Sequence, residues 1–254
     1  MNERRDEIGV LARAISDMTA ALRLRIDAVE GFAADVAHEI KNPLASLRSA
    51  LDSLSKVEDP KLRRQLVDIA SHDVRRLDRL VTEIADASRV EAEMSRTAFE
   101  LIDMDELLAN VLEARSERGQ NDGRTVTLRR EGYEPALVMG VPMRLERVIA
   151  NLLDNAVSFS PPDGAIEVTV FANGGRVETI VCDHGPGIPE SEREKVFARF
   201  HSVRPEAESF GNHSGLGLAI ARTIAEAHEG TLSVCDRADG EPGACLVLDL
   251  PSAA

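Results

Sequence analysis

A chain of 254 residues with 43% hydrophobic and 29% charged side chains has the balance of a folded globular protein, which excludes a disordered or fibrous class. Its formal charge of −14, with no Trp, one Tyr and seven Phe, excludes an aromatic stacking platform for nucleic acid, so no nucleic-acid partner is expected. Any nucleotide site must then rest on local donors and a metal ion rather than on a basic surface.

No apolar run reaches the roughly 18–20 residues of a membrane span, and no signal-peptide pattern opens the chain. The helical pattern is already under way at the first residues. The sequence therefore reads as a piece of something longer. Cys182, Cys235 and Cys245 are odd in number and lack metal-ligand spacing, so they are expected as small core residues in a reduced setting.

From Leu11 the apolar residues keep helical time through Ile15, Met18, Leu22, Ile26, Val29, Ala33, Val36, Ile40, Leu44, Leu47, Leu51 and Leu54. So narrow a seam over many turns implies partner helices rather than one globular neighbour. Pro43 interrupts the seam and predicts a local kink. Glu58-Asp59-Pro60 ends the pattern, and Pro60 suits a helix start. A second helix follows, with Leu62, Leu66, Ile69, Leu77, Leu80 and Ile84 on one face. Two such helices form an antiparallel hairpin, and two hairpins a four-helix bundle, because one hairpin leaves its seam half exposed.

After about Met94 the texture changes. Strand-like runs (125–128, 166–171, 177–182, 245–250) alternate with amphipathic stretches (104–114, 143–159, 216–228) and Gly-rich turns. That alternation predicts a compact two-layer α/β domain.

The first chemical constellation is His38-Glu39-Ile40-Lys41-Asn42-Pro43. His38 lies two positions from both Val36 and Ile40, so at ~100° per residue it points away from the seam. Asn42 is one turn further on the same face, and Glu39 projects sideways. An exposed helix histidine is by itself ordinary surface. Neutral imidazole is nonetheless a good nucleophile near pH 7, and a neighbouring carboxylate can polarise its second N–H. What such a group needs is a phosphoryl donor.

The second half offers one in ordered pieces. Asn151 and Asn155 stand one turn apart within Asn151-Leu152-Leu153-Asp154-Asn155-Ala156, and amide oxygens are hard ligands suited to Mg²⁺. Asp183-His184-Gly185-Pro186-Gly187 follows a strand, so its carboxylate can accept from an adenine amino group, which favours ATP over GTP. Its glycines let backbone approach a base. Val196-Phe197-Ala198-Arg199-Phe200 precedes an irregular polar segment, 201–214, long enough for a lid. Gly215-Leu216-Gly217-Leu218 then opens a helix whose N-terminus suits phosphate. Each piece alone is ordinary; the ordered set is not.

Together these motifs resemble the HisKA-type sensor histidine kinases of two-component signalling, over nearly the whole chain. His38–Pro43 looks like the family's H box, Asn151–Ala156 its N box, Asp183–Gly187 its G1 box, Phe197–Phe200 its F box and Gly215–Leu218 its G2 box. Asp6-Glu7-Ile8-Gly9 resembles the end of a HAMP module, and the context Phe32–His38 is similar to alphaproteobacterial envelope sensors of the ChvG type. The resemblance implies residues 1–30 as the end of HAMP and a signalling helix, and 31–95 as a dimerisation and histidine-phosphotransfer hairpin. It implies 96–254 as a Bergerat-type α/β sandwich that binds ATP and Mg²⁺.

It further implies His38 as phosphoacceptor, Glu39 as acid/base helper and Asn42 as a contributor to phosphatase activity. Asn155 would hold Mg²⁺ with support from Asn151, and Asp183 would read adenine. Gly185, Gly187, Phe200, Gly215, Leu216, Gly217 and Leu218 would line the nucleotide. The implied partners are a second copy, through the hairpin, and a response-regulator receiver domain. The implied parent is a bacterial inner-membrane receptor, this chain being its cytoplasmic part.

Two positions depart from the pattern. Ser158 stands where many relatives have a basic residue, for which Arg199 or Arg204 could substitute, and Asn212-His213-Ser214 stands where a further glycine is common. One rival reading, an ATP hydrolase of the same superfamily, wants a water-activating Glu where Asn151 stands, and Asn has no useful basicity. The other, a non-catalytic member, would have lost Asn155, Asp183 or His38, and all three are present.

Overall fold

The computed structural model describes residues 7–93, 98–201 and 215–253. The segment 201–214 expected as a lid falls, apart from its first residue, outside the described residues, as do Arg204, Asp6 and most of the linker expected near 94–100. The chain divides into two compact units, Met1–Leu77 and Asp78–Ala254, with the division inside the second helix.

The first unit is built on α1 (Glu7–Leu54) and the start of α2 (Pro60–Glu93). Pro60 begins α2 at the position where a missing N–H costs nothing, and Asp59 accepts from the Lys61 N–H at 2.8 Å. The antiparallel hairpin is fastened at the turn by Arg63, whose Nη1 donates to the Leu54 and Val57 carbonyls at 3.2 and 3.1 Å. α1 continues as one helix through Pro43, which is buried. Ile26, Val29, Leu44 and Leu51 of the expected seam are about half exposed, as are Leu62, Val67, Ile69 and Val74 on α2. A single hairpin leaves that stripe uncovered.

The second unit contains β1 (Glu100–Asp103), α3 (Met104–Glu117), β2 (Thr125–Glu131), β3 (Leu137–Gly140), α4 (Pro142–Phe159), β4 (Ala165–Asn173), β5 (Arg176–Cys182), α5 (Gly217–Ala227), β6 (Thr231–Cys235) and β7 (Cys245–Pro251). The main sheet runs β2-β4-β5-β7-β6, parallel at β2–β4 and antiparallel elsewhere, and β1–β3 form a separate antiparallel ribbon. Alternate residues of β4, β5 and β7 (Ile166, Val168 and Val170; Val177 and Val181; Leu246, Leu248 and Leu250) are almost wholly buried. They make one face of the core, and Leu145, Ile149, Leu152, Leu153, Ala221 and Ile224 of α4 and α5 make the other. This is the expected two-layer sandwich. The strands β1, β3 and β6 are additions to the sequence reading.

One expectation is corrected. Cys182 and Cys245 are not separate small core residues: they are joined in a disulfide, with Cα atoms 4.1 Å apart. The cause is register, which sets the two directly opposite each other on β5 and β7 across a sequence separation of 63. Spacing along the chain carries no trace of that.

Candidate functional site

On α1, His38 and Asn42 are exposed and Glu39 is half-buried. The helical rotation that buries Pro43 and half-buries Val36 and Ile40 turns His38 outward, as the periodicity requires. Glu39 turns toward α2, where Arg76 Nη2 donates to its Oε2 at 3.0 Å. The carboxylate beside the imidazole is therefore fixed by a cation on the neighbouring helix. Arg76 was not singled out by the sequence, because nothing local pairs residues 37 apart.

In the second unit, α4 presents Asn151 and Asn155 at the margin of its buried stripe, both partly exposed. Asn151 Nδ2 donates to the Gly217 carbonyl at 3.0 Å, tying α4 to the start of α5 and leaving the amide oxygen as an acceptor. Among the described residues no hydrogen bond reaches the Asn155 carboxamide, so both its oxygen and its amino group are available to a ligand. A carboxamide oxygen is a hard donor that can hold a divalent cation together with phosphate oxygens.

Asp183 leaves the end of β5 almost fully buried. Its Oδ1 accepts from the Gly185 N–H at 2.8 Å and the Ala244 N–H at 3.2 Å. Among the described residues no hydrogen bond reaches Oδ2. One oxygen is thus pinned by backbone, and the other is left for a donor such as an adenine amino group. Burial pushes the Asp183 carboxyl above its ordinary value, opposed by the two backbone donors and then by Arg237 and His184.

The glycines around Asp183 serve the protein before any ligand. A Cβ on Gly185 would lie 2.9 Å from Asp183 Oδ1 and from the Phe159 carbonyl, and one on Gly243 would lie 2.1 Å from the Asp183 carbonyl. Gly187 adopts φ +80° against Gly243. Arg237, 8% exposed, donates from Nη1 to the Asp183 carbonyl at 3.1 Å and is itself gripped by Asp239. That grip holds the Asp239 carboxyl down at about 2. Arg237 is a positioning residue that no motif flags.

Phe200 and Gly215 flank the segment 201–214. Phe200 N donates to the Gly215 carbonyl at 2.9 Å, with φ +59° and +76° respectively, so the two flanks are clipped together. A Cβ on Gly215 would stand 2.8 Å from the Phe200 carbonyl carbon. Phe197 is buried beneath Arg222, whose guanidinium carbon lies 5.2 Å from the ring centroid. Leu216 is a buried plug, Gly217 and Leu218 are half-buried, and no side chain caps the α5 N-terminus. A helix start without a side-chain cap suits a phosphate group.

A half-free buried carboxylate, a carboxamide without a partner and an uncapped helix behind a glycine, all on a two-layer sandwich, define an ATP-binding module. Comparison with known proteins agrees. Residues 140–254 match the histidine kinase-, DNA gyrase B- and HSP90-like ATPase family, and residues 28–93 match the His Kinase A (phospho-acceptor) domain. Sensor protein ChvG of Rhizobium meliloti (strain 1021) is 44% identical over 260 residues, 99% of this chain and 45% of that protein. The signal transduction histidine-protein kinase/phosphatase MprB of Mycolicibacterium paratuberculosis is 32% identical over 97% of this chain and 47% of its own length. The chain thus spans less than half of these two relatives.

Among solved structures, histidine kinase ThkA in complex with the response regulator protein TrrA is 25% identical with a TM-score of 0.69, covering 91% of this chain and 64% of that one. The chain belongs to the HisKA-type sensor histidine kinases and is ChvG-like within them. No helix among the described residues is long and apolar enough to cross a membrane.

Proposed function

We propose that this chain transfers the γ-phosphoryl group of ATP to His38 and passes it to an aspartate of a response-regulator receiver domain. One ring nitrogen of His38 attacks phosphorus and ADP leaves. Glu39, held by Arg76, accepts a hydrogen bond from the other ring N–H, offsets the positive charge that develops on the ring and takes that proton as the neutral phosphoimidazole forms. Asp183 Oδ2 accepts from the adenine amino group and selects ATP over GTP. Asn155, with the Asn151 oxygen beside it, holds Mg²⁺, which when bound neutralises phosphate charge. The α5 N-terminus behind Gly215 and Gly217 receives phosphate, with Leu218 beside it. In the reverse direction Asn42, exposed one turn from His38, orients the water that releases phosphate from the regulator.

The observation that carries this reading is the outward imidazole of His38 in the same chain as a buried aspartate with one oxygen unused. In this reading residues 1–30 are the end of HAMP, 31–95 the phosphotransfer hairpin and 96–254 the nucleotide domain. The exposed stripe on α1 and α2 supports pairing of two hairpins into a four-helix bundle. The parent protein is an inner-membrane receptor with this part in the cytoplasm.

Incubation with γ-labelled ATP tests the proposal. Label on the wild type should be acid-labile and alkali-stable, as a phosphohistidine is, and absent from His38→Gln and Asn155→Ala. Label persisting on His38→Gln would reject it.

A further inference from the structure

All three cysteines of the chain fall in one row across three adjacent strands. Cys245 on β7 faces Cys182 on β5 on one side and Cys235 on β6 on the other. Residues directly opposite in antiparallel pairs share a face, so the three side chains project together, while their neighbours Val181 and Leu246 are buried toward the helices. Cys182 and Cys245 are bonded; Cys235 is a free, partly exposed thiol.

The ladder makes both pairings of Cys245 feasible. Asp183 N donates to the Ala244 carbonyl, so the next pair outward, Cys182 and Cys245, is a non-hydrogen-bonded one, consistent with its 4.1 Å Cα separation. The backbone of Cys245 then turns to β6 and makes Cys235 its hydrogen-bonded partner, with a Cα separation of roughly 5.5 Å. That spacing lies inside the ordinary span of a disulfide. The row also sets Cys235 and Cys182 on opposite sides of Cys245, the arrangement in which an attacking sulfur and a leaving sulfur stand in line.

We propose that these residues form a thiol–disulfide exchange site in which Cys245 swaps partner between Cys182 and Cys235, and that the state of this site sets affinity for ATP. The Cys235 thiolate attacks Sγ of Cys245, the Cys235–Cys245 bond forms, and the Cys182–Cys245 bond breaks. Cys182 leaves as a thiolate and takes the proton that Cys235 lost. No net oxidation occurs. A small dithiol reductant converts the cystine to two thiols and is itself oxidised to its cyclic disulfide. A low-molecular-weight disulfide reverses this in two exchanges that release two thiols.

Burial first, then Asp236 and Glu178, raise the Cys235 thiol above its ordinary value against the pull of Arg193. A thiol held protonated in this way attacks slowly at neutral pH, so the Cys182–Cys245 bond seen in the structure exchanges slowly there.

The coupling rests on the reading of Asp183 as the adenine acceptor. Cys182 precedes Asp183, and Cys245 follows Ala244, whose N–H and carbonyl both bond to Asp183. The cystine therefore staples the two segments that aim this carboxylate. Opening it lets β7 recede from Asp183 and loosens one of the two hydrogen bonds on Oδ1. The expected loss is about three- to tenfold in ATP affinity, part of the worth of one hydrogen bond to a carboxylate, since that bond is loosened and not removed.

The full chain is oxidised with a low-molecular-weight disulfide or reduced with dithiothreitol, and differential alkylation with peptide mass analysis reads the pairing. Oxidised wild type should alkylate at Cys235, and Cys182→Ser should form Cys235–Cys245 under the same treatment. A Cys182→Ser chain that leaves both remaining thiols free overturns the exchange site. Binding of a fluorescent ATP analogue should weaken on reduction in wild type and in Cys235→Ser. Equal affinity in the two redox states overturns the coupling. Asp183→Asn, measured alongside, tests the adenine reading separately: wild-type binding by that variant removes the reading while the alkylation result stands.

Discussion

At the scale of single residues, Asp183 separates function from stability. Its folded-state pKa is raised, so the ionised form opposes folding: its stabilising contribution is present below the ordinary value of 3.8 and lost as pH rises through the folded value. At neutral pH the buried carboxylate is a cost. In Asp183→Asn the amide oxygen still accepts from Gly185 and Ala244, while its amino group faces the adenine amino group, donor against donor. ATP affinity should fall about five- to a hundredfold, with the melting temperature unchanged or higher. Calorimetric titration beside thermal unfolding checks both, and a variant that loses stability and binding together would point to a structural carboxylate.

Gly185→Ala should show the opposite pattern. Its Cβ meets the Asp183 carboxylate and the Phe159 carbonyl at 2.9 Å, and both are held by the fold. Overpacking of this sort costs about 1–3 kcal/mol, so melting temperature and ATP affinity should drop together. A melt unchanged from wild type would show that the turn can yield.

At the scale of elements, the motif-bearing helices were legible because their periodicity is intact. α4 and α5 fall within a residue or two of the expected 143–159 and 216–228, and His38 faces outward as helical rotation demands. What was illegible is lateral. The strands β1, β3 and β6 are short, and β6 (Thr-Leu-Ser-Val-Cys) alternates for too few residues to stand out. The Arg76–Glu39 pair, the Arg237 buttress and the cystine all depend on register between segments, which no local pattern encodes.

His228 shows the same point. It reads as the polar end of a helix, yet it is buried and links three elements. Its Nε2 accepts from the Val141 N–H at 3.1 Å, its Nδ1 donates to the Ile224 carbonyl at 2.7 Å, and its ring stacks on Phe99 at 4.8 Å. Both nitrogens are used by the neutral ring, and burial lowers its pKa below the ordinary 6.5, with Arg144 adding to the effect. Its stability contribution is therefore present above about 6.5 and lost as pH falls toward the folded value. Urea unfolding from pH 8 to 5 should lose up to ~1.4 kcal/mol per pH unit through this one proton. His228→Gln, unable to titrate, should flatten that part of the profile; an unchanged slope would assign it elsewhere.

At the scale of the whole molecule, the two units answer the hydrophobic effect differently. The nucleotide domain closes its own core, with Leu145, Ile149, Leu152, Leu153, Ile166 and Leu248 fully buried within one chain. The hairpin does not. Leu44 at 48%, Leu51 at 55%, Ile69 at 46% and Val74 at 52% exposed form a stripe, where scattered single apolar residues would need no explanation. Helical rows of this kind are covered by a second set of helices at about 25 cal/mol per Å² of apolar surface removed from water. On the proposed pairing of two hairpins, replacing Leu51 and Ile69 by Glu should place charges in that seam and leave the chain a monomer in sedimentation velocity where the wild type is a dimer. The nucleotide domain folds around a separate core, so ATP-analogue affinity should stay within about twofold of wild type. A double variant that remains dimeric would move the interface off this stripe, whereas one that loses nucleotide binding would show that the two units do not fold independently.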